Sequence, residues 1–144
     1  MDYTTEARRH LRRVAVCAAL ALALASCETP FSTDGNGGDL FFTQSVEPEA
    51  VMDALFTGRV VRGENGCLRL ASRSGPTVIW PVDYSLDAGT VRDAAGDEVG
   101  SIGGNFRLAG GEVPSLHDGI EVTANTRKLA EAHCTGKYWI VAGG

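Results

Sequence analysis

From about residue 55 onward, apolar and polar residues alternate in short runs broken by glycine, proline, asparagine and aspartate. Two such runs flank Gly63-Glu64-Asn65-Gly66 in "LFTGRVVRGENGCLRLAS". Asn-Gly accepts positive φ at both residues, so the stretch predicts a β-hairpin. In its second run Cys67 and Arg69 alternate with Leu68 and Leu70, a period of two that buries one face. "TVIW", after the turn signal Ser74-Gly75-Pro76, reads as a strand. Pro81 removes a ladder donor, so that strand ends there or lies at an edge. "GTVRDAAGDEVGSIGG" predicts a second hairpin turning around Ala95-Gly96-Asp97, and "NFRLAGGEV" predicts another short strand. Gly103-Gly104 and Gly110-Gly111 read as bulges or sharp corners, which small barrels need in order to close. Residues 137–141 form a final strand with Trp139 and Val141 on one face and Tyr138 and Ile140 on the other. Apolar residues on both faces place it centrally or under cover.

Helical signals are few. "EPEAVMDALF" predicts one or two helical turns, with Pro48 near the start. "TANTRKLAEAHC" is the one good helix, capped by Asn125 or Thr126, with Leu129, Ala130, Ala132 and His133 sharing a face. All eighteen glycines lie beyond residue 26, roughly double the average usage of about 7%, as many turns between short strands require. The sum is a mainly β fold of five to seven short strands with one short helix near the C-terminus. A small closed or partly open antiparallel barrel removes the sheet edges at this size. A two-sheet β-sandwich is the alternative.

The first residues follow a different pattern. Arg8, Arg9, Arg12 and Arg13 precede an apolar run, residues 14–25, that carries no charge. About a dozen residues are too few to cross a bilayer as a helix, which takes about 20. A basic start, a short apolar middle and small residues at the end describe an export signal. The apolar residues surround every helical face and form no stripe, which argues against an amphipathic helix of the domain. Leu24-Ala25-Ser26-Cys27 resembles the lipobox of bacterial lipoproteins. The resemblance implies that Cys27 carries a diacylglycerol and becomes the first residue after cleavage. Two or more acyl chains, each buried CH₂ contributing about 0.8 kcal/mol, anchor a protein stably. An ordinary cleavage after "ALA" or "LAS" would instead leave an unpaired thiol outside the cell. The expected organisation is a lipoprotein signal peptide over 1–26, a flexible tether over 27–50, rich in Gly, Ser, Thr and Asp, and a barrel domain over 51–144. The expected location is the cell membrane or outer membrane, facing the periplasm or exterior. Glu28 does not match the aspartate of inner-membrane retention signals.

Beyond the leader nine basic and sixteen acidic residues remain, a net charge of −7. That sign disfavours nucleic acid and anionic membrane surfaces as partners. The expected partners are the membrane, through the N-terminal lipid, and an envelope protein or glycan. Cys67 and Cys134 are an even pair in an oxidising compartment and are expected to form a disulfide. Ligation of a metal by them with His133 and His117 lacks ligand-loop spacing. "DGNGGD" offers Asp34, Asn36 and Asp39 as oxygen ligands but lacks the later glutamate of a calcium loop. No metal or cofactor is expected.

The order G-x-V-V, G-C-L-R-L, W-P, D-A-A-G, L-x-G-G and C-x-G-x-Y-W-I-V resembles small bacterial proteins of unknown function with an oligonucleotide/oligosaccharide-binding-like (OB-like) barrel. The likeness covers roughly residues 57–142, and its motifs speak to fold and bridge, not to activity. No Gly-x-Ser-x-Gly elbow or Ser-x-x-Lys occurs. Trp80 and Tyr84 are the candidate ligand-binding residues, while Trp139 is expected in the core. The reading is non-enzymatic: a lipid-anchored binding or structural protein of the bacterial envelope. The alternative is a small envelope hydrolase using His117 with clustered carboxylates among Asp83, Asp87, Asp93, Asp97 and Glu98.

Overall fold

The computed structural model describes residues 31–33, 38–48, 52–117 and 119–143. Residues 1–26, expected to be a signal peptide, together with Cys27, Asp34, Asn36 and Asp118, lie outside the described residues. The strands are β1 (Phe31–Thr33), β2 (Leu40–Thr43), β3 (Ala54–Arg62), β4 (Leu68–Leu70), β5 (Thr77–Trp80), β6 (Ser85–Asp87), β7 (Thr90–Arg92), β8 (Glu98–Ser101), β9 (Asn105–Val113) and β10 (Tyr138–Val141). Among the described residues one α-helix, α1 (Ala124–His133), precedes β10.

Five strands close into a barrel in the order β3, β4, β5, β10, β9 and back to β3. β3, β4 and β5 form a meander and β9 returns beside β3, the Greek-key order. A five-stranded Greek-key barrel is OB-like, so the fold class expected from the sequence is the one observed. One detail differs. The barrel was expected to be antiparallel, yet β10 runs parallel to β5. The reason is geometric: strand directions that alternate around a ring of five cannot close, so at least one neighbouring pair must be parallel.

The Asn-Gly hairpin forms as expected. Asn65 and Gly66 take φ of 57° and 78°, and β3 pairs with β4 antiparallel from Arg62 and Leu68. β4 is short and reaches β5 only at Thr77. Farther along the same edge β2 takes over, pairing parallel with Ile79 and Trp80. Residues 40–44, expected within the tether, therefore seal the barrel seam. Phe41 and Phe42 are 1% and 0% exposed, and the Gln44 side-chain amide donates to Val141 O at 2.7 Å. The expected helical turn in "EPEAVMDALF" is also corrected in part, because Ala54 to Phe56 begin β3; residues 49–51 lie outside the described residues.

Side chains alternate between two apolar clusters. Val60, Leu68, Leu70, Val78, Trp80, Phe106, Leu108 and Val141 fill the inner one. Cys67, Ile79, Val113, Tyr138 and Ile140 face outward and pack beneath α1 and the segment before it. β4 is therefore buried on both faces, where one buried face was expected. The meander β6, β7 and β8 adds Leu86 and Val91 to the inner cluster. At Gly110, β9 passes from pairing with β3 to pairing with β10; a Cβ there would overlap the Ile140 carbonyl oxygen. This is the corner foreseen in the Gly-Gly pair. α1 is capped by Thr123, whose hydroxyl accepts from Thr126 N, not by Asn125 or Thr126. Its buried line is Val122, Thr126, Ala130 and Cys134, while Ala132 and His133 are exposed.

Candidate functional site

Cys67, just before β4, and Cys134, at the end of α1, are disulfide-bonded with their Cα atoms 5.7 Å apart, inside the usual range of about 4.4–6.8 Å. Both are fully buried. The bond fastens the helix to the outside of the barrel and uses the thiols that metal ligation would need. Among the described residues no group of three or more His, Cys, Asp or Glu is placed to hold a metal ion.

The aromatic residues sort differently from expectation. Trp80, a candidate ligand residue, is 0% exposed. Its ring stacks on Phe41 with centroids 5.4 Å apart and lies 5.8 Å from Phe106. Trp80 occupies an inward position on a strand whose end β2 covers, so it is core and presents no face to a ligand. Tyr84 is half-buried against the inner cluster. Burial, and then the nearby Asp93 charge, raise its pKa above the ordinary tyrosine value. Trp139, expected in the core, is half-buried and tilted against Phe56 at 6.0 Å. No ring contact joins Tyr84 to either tryptophan among the described residues.

His117 is exposed on the segment between β9 and α1, and its carbonyl accepts from Arg127. The carboxylates named with it lie on or beside the β6–β8 meander. Asp93 there accepts the backbone N–H groups of Ala95 and Asp97, each at 2.9 Å. That is the local turn role of an aspartate.

A further concentration of positive charge among the described residues was not among those singled out from the sequence. Arg62, Arg69 and Arg73 line an open groove of about 870 Å³ with Gly63, Glu64, Ser72, Ser74 and Thr135. Arg59 joins Arg62 and Arg73 in an adjoining hollow. Four of the nine basic residues beyond residue 26 thus fall within residues 59–73, a clustering that a count along the chain would have revealed. The hairpin positions this face: β3 carries Arg59 and Arg62, β4 carries Arg69, and the β4–β5 loop carries Arg73.

The four guanidinium groups differ in setting. Arg62 donates from Nε and Nη2 to the buried carboxylate of Asp39 at 2.6–2.8 Å. Arg59 donates to Gly103 O at 2.9 Å. Arg69 is 7% exposed and donates to two backbone carbonyls, Gly75 O at 2.9 Å and Thr135 O at 3.0 Å. Its Nε is buried with no partner among the described residues. Its charge is also felt at Tyr138, whose pKa burial and then Glu131 raise and Arg69 partly lowers. Arg73 is exposed on the loop. The hydroxyls of Ser72 and Ser74 lie 3.3 Å apart beside it. This arrangement offers several N–H and O–H donors from three chain segments around one concavity.

Comparison with known proteins finds no match: no family model, no curated protein and no solved structure aligns with the chain.

Proposed function

We propose that this chain is a lipid-anchored protein of the bacterial cell envelope that presents its OB-like barrel outside the cytoplasm and acts by binding, not by catalysis. The observation that carries the reading is the buried Cys67–Cys134 bond. Disulfides form and persist in oxidising compartments, and an export leader is what delivers a chain there. The leader ends in the Leu24-Ala25-Ser26-Cys27 motif, whose cysteine would hold the lipid. The groove at the β3–β4 turn supports a binding role. In OB barrels the loop between the first two barrel strands and the loop before the last contribute to ligand sites; here those loops supply Glu64 and Thr135 to the groove.

The test is Cys27→Ala in the cell of origin. Wild type is expected to incorporate radiolabelled palmitate and to sediment with membranes; the variant is expected to do neither. Unchanged membrane partitioning of the variant would overturn the anchor.

A further inference from the structure

We propose that the groove lined by Arg62, Arg69, Arg73, Ser72, Ser74 and Thr135 binds a phosphate group borne by a small molecule. The inference rests on the groove alone and holds whether or not the chain is lipid-anchored; it deepens the binding role by naming the ligand's chemistry.

The first observation is Arg69. A buried charge is costly unless it is paired and hydrogen-bonded. Arg69 is more than nine-tenths buried, its hydrogen-bond partners are two neutral carbonyls, and its Nε has none among the described residues. No carboxylate among the described residues pairs with it. An anion entering the groove would supply the missing counter-charge. Gly63 leaves room for this side chain, for a Cβ there would meet the Arg69 Cδ at 2.8 Å and Nε at 2.9 Å.

The second observation is charge contrast. The chain beyond the leader is strongly acidic, yet this face gathers Arg59, Arg62, Arg69 and Arg73 against Glu64 and the Asp39 that Arg62 binds. A local positive patch in a negative field attracts a single anionic group and repels a long polyanion. This excludes nucleic acid as the better fit and favours a small ligand.

The third observation is donor geometry. Guanidinium groups match both carboxylate and phosphate. A carboxylate is planar and presents two oxygens. Here donors approach from Arg69 on the β4 floor and from the 72–74 loop, with Arg73 and two hydroxyls. That suits the out-of-plane oxygens of a tetrahedral phosphate, three free in a monoester and two in a diester. The volume of about 870 Å³ is within the range of about 300–1,000 Å³ seen for small-molecule sites and far exceeds a bare phosphate. The phosphate is therefore one end of a larger molecule, either a free phosphomonoester or the diester headgroup of a lipid.

Calorimetric titration of the full chain in neutral detergent tests this. Inorganic phosphate is expected to bind saturably above a chloride control of equal ionic strength. Glucose 6-phosphate and glycerophosphoglycerol then separate the two sources, the tighter binder naming the monoester or the headgroup diester. Arg73→Gln, on an exposed loop, is expected to weaken phosphate binding at least tenfold with unchanged melting. Arg107→Gln, an exposed arginine on β9 outside the groove, is expected to leave it unchanged. Arg69→Lys keeps the charge and removes the fork, and is expected to weaken binding as well. Absence of saturable phosphate binding, or equal weakening by Arg107→Gln, would overturn the site while leaving the anchor proposal intact.

Discussion

Gln44 shows how a single residue decides where the folded unit begins. Its side chain is 2% exposed and donates to Val141 O at 2.7 Å, while its backbone N–H donates to Trp80 O at 2.8 Å. It joins the end of β2 to both β5 and β10. Truncating it leaves a buried carbonyl unpaired, which costs about 1–3 kcal/mol. Gln44→Ala is therefore expected to lower the urea midpoint by a corresponding amount with an unchanged slope. Residue 44 in a solvated tether would give no change at all. The sequence hid this because "DGNGGD" reads as linker and the following "LFFTQ" is too short to declare a strand by periodicity. Its partners are β5 and β10, far along the chain. Trp80 was misread for a related reason. Pro81 marks a strand end correctly, but whether that end is an exposed edge depends on β2, which only the closed barrel brings there.

Among the elements, the hairpins were the most legible. Asn65-Gly66 and the Asp93-to-Asp97 turn are local chemistry, and local chemistry needs no tertiary information. The helix was found, but its cap was placed two or three residues late. Thr123 lies outside the periodic apolar pattern, and its role shows only in its hydroxyl accepting from Thr126 N at 3.1 Å. A cap of this kind contributes about 0.5–2 kcal/mol. Thr123→Ala is thus expected to destabilise the protein by about 1 kcal/mol in chemical denaturation. Asn125→Ala, at an exposed position inside the helix, is expected to stay within about 0.5 kcal/mol of wild type. The reverse ranking would restore Asn125 as the cap. The arginine face was legible in principle from the spacing of residues 59, 62, 69 and 73, but charge alone does not say which residues share a face. The pairing of β3 with β4 supplies that information.

At the scale of the whole molecule, the short strands and glycine content foretold a small barrel, although ten strands form among the described residues where five to seven were expected; the parallel β5–β10 pair follows from closure of an odd ring and not from any local signal. The same closure explains why the disulfide matters beyond its two residues. It spans a sequence separation of 67, enclosing β4 to β9 and α1, so that most of the barrel's order is fixed within one covalent loop. In the chain-entropy treatment a loop of that length lowers the freedom of the unfolded chain by about 4 kcal/mol. Native stabilities are about 5–15 kcal/mol, so the bond accounts for a large share of the total. The double variant Cys67→Ala/Cys134→Ala is expected to melt roughly 15 °C lower, at about 4 °C per kcal/mol for a domain of this size. Because both sulfurs are fully buried, reductant should reach them in the wild-type protein only through opening of the α1 end. Reduction is then expected to be slow below the melting transition and to accelerate sharply within it, after which wild type and the double variant should melt alike. A variant that melts within two or three degrees of the oxidised protein would show that the barrel holds itself together without the covalent loop.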